Sequence, residues 1–233
     1  MIVDLIAITE MRGLPGWVTG AGFEDEPRNC ARLIEAAGRN CYQSWKNPSG
    51  RTTKQYIENL IDHGHLSVLE HASATFLVRG VSRAFTHELV RHRHLSFSQL
   101  SQRYVDAAQC SFVVPPSIQG DEDLERVFYE ACEQARQAYE VLCEGLESKL
   151  KQYDSITPHQ RRKMVRQAAR YVLPNATETA IVVTGNFRAW REVIQKRIGP
   201  EADLEFQQFS RRILQLLVEE CPEAFSDLLP DEG

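Results

Sequence analysis

Apolar residues recur along the chain with two periods, and together they outline most of its elements. Residues 2–8 form a short apolar run suited to a strand. From about Pro27, which fits the first helical position, Cys30, Leu33, Ile34, Ala37 and Cys41 fall on one helical stripe. A turn at 46–50 leads to a second helix from about Thr52 to His63, with Tyr56, Ile57, Leu60 and Ile61 inward and Gly64 as the stop. Residues 72–78 favour a strand, after which Ser82 caps a helix carrying Phe85, Leu89 and Val90 and running into the segment at Arg91. A short apolar stretch then ends at Pro115-Pro116. Between 121 and 150 the apolar positions 124, 128, 131, 135, 138, 142 and 146 keep a three-to-four spacing, which predicts a helix about 45 Å long. Such a helix outspans a small core and is expected to pack on a partner subunit. Thr157-Pro-His-Gln160 reads as a capping box opening a basic helix that Leu173-Pro174 closes. A strand at 179–184, a helix at 186–198 stopped by Gly199-Pro200, and an amphipathic helix at 202–220 complete the pattern. With no internal repeat or low-complexity linker, residues 1–233 read as one α+β domain, helix-rich with a small antiparallel sheet.

Composition removes several classes. The chain is 42% hydrophobic and 25% charged, with 13 Gly and 10 Pro, and no apolar run approaches the roughly 18 residues of a membrane span. The opening stretch has Asp4 inside it and no basic segment before it, so it is not read as a secretory signal. Six cysteines without a CxxC pair argue for reduced thiols and a cytoplasmic location. The net charge is −5, but it is unevenly spread: residues 79–103 hold five Arg against Glu88 alone, and residues 161–170 hold four Arg and a Lys against no acid. The remainder carries a net −14. Two short basic segments on an acidic body predict local pockets for small anions and no broad nucleic-acid face.

Generic signatures are near misses. His87-Glu-Leu-Val-Arg-His92 resembles the HExxH zinc helix, but its histidines are five apart, not four, which takes the second off the metal face. His63, His65 and His71 lack an accompanying run of ligands, so no metal is expected. The glycines at 13, 16, 20 and 22 make no GxGxxG, and no phosphate-loop motif occurs. The dense segment runs from Arg91 to Tyr104 and packs cations, hydroxyls and amides into fourteen residues. Its donors match phosphates and the carbonyl edge of a heterocycle, while a solvated basic helix end, favoured by the helix dipole, accounts for the same composition.

Within that segment, Arg91-His92-Arg93, seven residues and then Ser101 resemble the signature of the flavin-dependent thymidylate synthases. The resemblance extends to Arg39-Asn-Cys-Tyr-Gln-Ser-Trp45, Gly64-His-Leu-Ser-Val-Leu-Glu-His71, Arg170-Tyr-Val-Leu-Pro-Asn175 and Gly185-Asn-Phe-Arg-Ala-Trp190, and reaches Arg197, covering most of the chain in order. It implies conversion of dUMP to dTMP with a methylene from 5,10-methylenetetrahydrofolate and reducing equivalents from NADPH passed through bound FAD. It also implies a homotetramer with sites shared between subunits, which agrees with the long helix at 121–150.

By the same resemblance, FAD is contacted by Ser67, Arg91, His92, Arg93, Gln99, Asn186, Phe187 and Arg188, with His65 near the flavin ring. Cations and oriented donors suit its pyrophosphate and the negative charge of its reduced ring. The substrate dUMP is contacted by Glu88, Leu89, Val90, Arg91, the stretch Gln99, Leu100, Ser101, Gln102 and Arg103, and by Arg170 and Arg197. Arg197 is the catalytic residue, a guanidinium that holds the charge developing on the uracil edge. None of the six cysteines lies between Arg91 and Tyr104, so Ser101 is expected to bind dUMP without bonding to it.

Two departures stand out. Glu192 occupies a position where relatives carry Asn or His toward the flavin, and an acid there is unfavourable unless paired. Ile198-Gly-Pro-Glu201 follows Arg197 where relatives often carry a His. Other histidines and cysteines, His63, His71, Cys132 and Cys143, are expected to be structural, as are Arg161, Arg162 and Arg166, while Glu70 either contacts the cofactor or anchors its loop. The rival classes are a basic nucleic-acid binding module, which would bind polynucleotide with strong salt dependence, a zinc hydrolase, and a structural oligomer.

Overall fold

The computed structural model describes residues 1–20, 23, 29–47 and 49–230. Its elements in order are β1 (Ile2–Ile8), α1 (Gly16–Thr19), α2 (Cys30–Tyr42), α3 (Thr53–Asp62), a 3-10 turn (Leu66–His71), β2 (Ser73–Ser82), α4 (Arg83–Leu89), β3 (Leu95–Gln99), α5 (Glu122–Leu150), α6 (Pro158–Ala169), a second 3-10 turn (Arg170–Val172), β4 (Glu178–Asn186), α7 (Phe187–Arg197), α8 (Leu204–Glu220), α9 (Pro222–Phe225) and a final 3-10 turn (Ser226–Leu228). The fold is helix-rich α+β with one four-stranded antiparallel sheet in the order β1-β2-β4-β3. The chain forms two compact units, one of Met1–Ile2, Val78–Arg91 and Ser98–Ile181, the other of Val3–Leu77, His92–Phe97 and Val182–Gly233.

The first unit is built on α5 and α6. Asp121 caps α5 by accepting from the Leu124 N–H, and Thr157 and Gln160 cap α6 reciprocally, as the sequence pattern required. The stripe expected on α5 is not the face the chain buries. Cys132 and Tyr139, seven apart, are buried, whereas Leu124, Val127, Tyr129, Val141 and Leu142 are exposed. Tyr139 fills the small core with Ala107 and Ala169, and Cys143 packs beside it. The Tyr139 hydroxyl donates to Asp106 at 3.2 Å, and burial pushes the phenol above its ordinary range. Arg166 closes the arrangement on Asp106 at 3.0 Å and on the Tyr104 carbonyl at 2.6 Å, while Arg161 pairs with Glu147 at 3.2 Å, so both arginines act in packing.

The second unit holds the larger core, in which α7 and α8 bury Phe187, Trp190, Ile194, Phe206, Phe209 and Ile213. Trp190 donates its indole N–H to the Ala74 carbonyl at 3.1 Å and meets Phe76 edge-on at 5.0 Å. Gly185 explains why this packing closes: a Cβ there would lie 2.2 Å from Leu95 Cδ2 and 3.2 Å from Trp190 Nε1. Gly64, at φ +71°, ends the α3 segment where a left-handed residue is needed.

Helix α2 starts at Cys30 with Asn29 as its cap, and Pro27 lies outside the described residues. Cys41, expected inward, is exposed; Glu35 and Arg39 are buried in its stead, at 1% and 2% exposure. Arg39 donates from Nε and Nη2 to one Glu35 oxygen at 2.8 and 2.6 Å and from Nη1 to the Ser44 carbonyl at 2.8 Å. The second Glu35 oxygen accepts from Arg32 and Thr53, both at 2.7 Å. Four donors on one carboxylate make burial of the charge tolerable.

Candidate active site

The segment at Arg91 does not continue the α4 helix. Ser82 caps α4, which stops at Leu89, and the chain then enters strand β3 from Leu95. Alternation along that strand buries Leu95 and exposes Ser96 and Ser98, so the polar residues that diluted the apolar pattern are the outer face of an edge strand. Arg91 and Arg93 are exposed in the connection, and neither is tied into a regular element.

In the first unit, several of the residues expected to contact the nucleotide follow one another where the chain leaves β3. The Leu100 N–H donates to the Ala180 carbonyl at 2.9 Å, and the Gln99 amide donates to Thr86 at 3.0 Å and Thr179 at 3.4 Å. After Leu100 the chain turns, with the Arg103 N–H donating to the Ser101 hydroxyl at 3.4 Å. Gln102 is buried, yet its Nε2 has no hydrogen-bond partner, and neither has Nε of Arg103. Arg83, the first residue of α4, is in the same condition at Nη1. Burial lowers its proton affinity, and the nearby Arg170 cation lowers it further. A guanidinium keeps its proton in proteins, so Arg83 and the neighbouring Arg170 form a pair of cations whose donors suit an anion. Arg170 lies in the 3-10 turn after α6, not within the basic helix. Arg83 was missed by sequence reasoning, although it lies in the basic stretch 79–103 and directly follows the cap Ser82. Leu89 is core, so its side chain is not available to a ligand, whereas Val90 is exposed.

In the second unit two cavities share the Arg188 side chain. One, of about 260 Å³, is lined by Glu70, His94, Asn186, Arg188, Ala189 and Glu192. The other, of about 310 Å³, is lined by Gly38, Cys41, Tyr42, Leu60, Gly64, His65, Leu66, Ser67, Val68 and Arg188. The expected residues His65, Ser67, Asn186 and Arg188 are therefore brought together on these walls, and His94, Tyr42 and Glu70 join them. Asn186 has a second duty as the cap of α7, accepting from the Ala189 N–H at 2.8 Å. Phe187 packs on Phe225 at 5.0 Å in the core and offers a ligand only its backbone. Glu192 is paired: Lys196 donates to it at 2.5 Å and holds its carboxyl below the usual range, with burial opposing and His94 and His92 assisting.

Arg197, at the end of α7, donates from Nε to the His92 Nε2 at 3.3 Å. Its guanidinium carbon sits 5.0 Å from the centre of the Phe206 ring, and the His92 ring lies 5.8 Å from the same ring. The residues after it form a tight turn in which Glu201 folds back over Gly199; a Cβ at 199 would be 2.6 Å from the carboxylate. Gly199 and Glu201, within the departure at 198–201, thus form one local feature. The histidines at 63 and 65 lie 6.1 Å apart, and His63 hydrogen-bonds the Asn59 carbonyl; among the described residues no group of three or more His, Cys, Asp or Glu is placed to hold a metal ion.

The family described as "Thymidylate synthase complementing protein" matches residues 25–223. A flavin-dependent thymidylate synthase of Mycolicibacterium vanbaalenii is 49% identical over 229 residues, 97% of this chain and 88% of that protein. The chain belongs to the flavin-dependent thymidylate synthase family. The counterpart from Mycobacterium tuberculosis is 47% identical over the same share of each chain. In fold, the chain resembles the crystal structure of thymidylate synthase X from Helicobacter pylori with FAD and dUMP, at a TM-score of 0.67 and 22% identity over 98% of this chain and 99% of that one. Membership in a flavin-dependent thymidylate synthase family does not favour the nucleic-acid reading of the basic segments.

Proposed function

We propose that the chain converts dUMP to dTMP, with the anion seat at Arg83, Gln102, Arg103 and Arg170 taking the nucleotide phosphate. The observation that carries this reading is the set of buried donor nitrogens at Arg83, Gln102 and Arg103 that the protein itself leaves unpartnered. A phosphate dianion forms charge-assisted bonds with donors of this kind. Ser101 and Gln99 supply neutral donors and acceptors for the sugar and base, with Glu88 and Val90 as further contacts of the nucleotide.

The reaction consumes dUMP, methylenetetrahydrofolate, NADPH and a proton, and yields dTMP, tetrahydrofolate and NADP⁺. When bound, FAD would supply the relay of reducing equivalents from NADPH to the nucleotide. The two cavities that meet at Arg188 fit that cofactor in chemistry: a hydroxyl at Ser67, an amide at Asn186, imidazoles at His65 and His94, and a guanidinium reaching both. Arg91 and Arg93 add cations for its phosphates, and His92 adds an imidazole for its ring edge. Arg197 holds the charge that develops on the uracil carbonyl and N3 edge, as a donor that cannot lose its proton. The His92 contact and the Phe206 ring fix the direction in which it points.

The exposed apolar side chains of α5 support assembly into a homotetramer, since a run of Leu, Val and Tyr along 29 residues is costly to leave in water. No described helix is long and apolar enough to cross a membrane, and a cytoplasmic setting agrees with the six free thiols. The test is an omission series with purified protein: dTMP must form with dUMP, the methylene donor and NADPH together, and must fail when any one is withheld. Formation without NADPH, or none with all three, refutes the assignment.

A further inference from the structure

We propose that Glu70 is a positioning residue for cofactor binding, acting by holding the Arg188 guanidinium at the wall shared by the two cavities. The inference rests on the reading that Arg188 faces FAD. Arg188 lies in the first turn of α7, two residues after the cap Asn186, and its side chain is 51% exposed. A long side chain with that freedom samples many rotamers unless something fixes it. Glu70 comes from the 3-10 turn 118 residues earlier, and its Oε1 accepts from Arg188 Nη1 at 2.6 Å.

Three features assign the pair to binding and not to the fold. Both partners are more than two-fifths exposed, and an ion pair in that setting contributes little to stability. The contact uses a single nitrogen, and a guanidinium carries five N–H donors in a rigid fork, so the other edges remain able to meet a phosphate or a carbonyl. Each acid of the smaller cleft also has its own cation: Glu192 is bound by Lys196 and Glu70 by Arg188. The carboxylate of Glu70 is thereby neutralised, so an anionic ligand meets an oriented cation and not a bare acid.

The test is FAD affinity, read from quenching of flavin fluorescence when FAD is titrated into the full-length apoprotein, for Glu70→Gln, Glu70→Asp, Arg188→Gln and the Glu70→Gln/Arg188→Gln double variant. Glu70→Gln is expected to weaken binding about tenfold, Glu70→Asp to recover most of that loss, and Glu70→Gln to have no further effect once Arg188 is gone, since coupled residues are non-additive. Melting temperatures within a few degrees of wild type, as expected for a surface pair, exclude a folding origin. Wild-type or tighter affinity in Glu70→Gln overturns the proposal, as does an equal loss with and without Arg188, which would make Glu70 a direct ligand contact. If Arg188→Gln itself binds FAD normally, the reading that Arg188 faces the cofactor fails first, and the Glu70 proposal with it.

Discussion

The Arg197 Nε–H donates to Nε2 of His92 at 3.3 Å, across 105 residues of sequence. The Phe206 ring lies near both side chains, 5.0 Å from the Arg197 guanidinium carbon and 5.8 Å from the His92 ring. If Arg197 acts on the uracil edge, Arg197→Ala leaves NADPH-driven flavin bleaching largely intact while dTMP formation falls by roughly 10²- to 10³-fold, the cost of one preorganised charge contact. Arg197→Lys recovers only part of it. The paired measurement is anaerobic bleaching by NADPH and dTMP release with folate; equal slowing of both steps makes Arg197 a flavin or structural contact.

Arg83 separates substrate affinity from chemistry. Arg83→Gln removes a charge from the phosphate seat, and losing a hydrogen bond to a charged group costs about 1.5 to 3 kcal/mol, or roughly 10- to 100-fold in KM for dUMP. Turnover at saturating dUMP stays near wild type. Steady-state kinetics with dUMP as the varied substrate decide it, and an unchanged KM removes Arg83 from the site.

Gly185→Ala tests the contact that fixes β3 against α7. The new methyl collides with Leu95, and overpacking of this kind costs about 1 to 3 kcal/mol. A Gly185→Ala/Leu95→Ala double variant recovers part of the loss, measured as melting temperature. A single variant as stable as wild type contradicts the packing described.

Removing the carboxylate of Glu35 strands the buried Arg39. Glu35→Ala is expected to destabilise the chain by about 3 to 5 kcal/mol, while apolar replacement of both residues together is milder, because no unpaired charge is left behind. Chemical denaturation of the two variants compares them directly; equal losses would show that packing, and not charge, dominates there.

Much of this was legible in the sequence. The caps Ser82 and Thr157 fixed helix starts because a side-chain acceptor for an orphan N–H has few alternatives. Strand β3 was hidden, since an edge strand with a polar outer face carries a polar-rich pattern like that of a loop or helix end. Which face of α5 this chain buries was not legible either: its apolar residues are spread around the helix, and spacing alone does not say which of them meet this chain. Arg39 lay within a recognisable motif, yet its partner Glu35 and its burial depend on tertiary contacts. Arg83 could have been found by asking which cation of the basic stretch follows a helix cap.

The central claim is that reducing equivalents pass through bound flavin to make the methyl group of dTMP, and a single-turnover experiment tests it most directly. Purified protein loaded with FAD is bleached anaerobically with one equivalent of NADPH, and dUMP and methylenetetrahydrofolate are then added together. The expected result is return of the oxidised flavin absorbance with about one dTMP formed per flavin, and no return when either compound is omitted. A colourless protein that takes up no FAD, or dTMP formed while the flavin stays oxidised throughout, would contradict it.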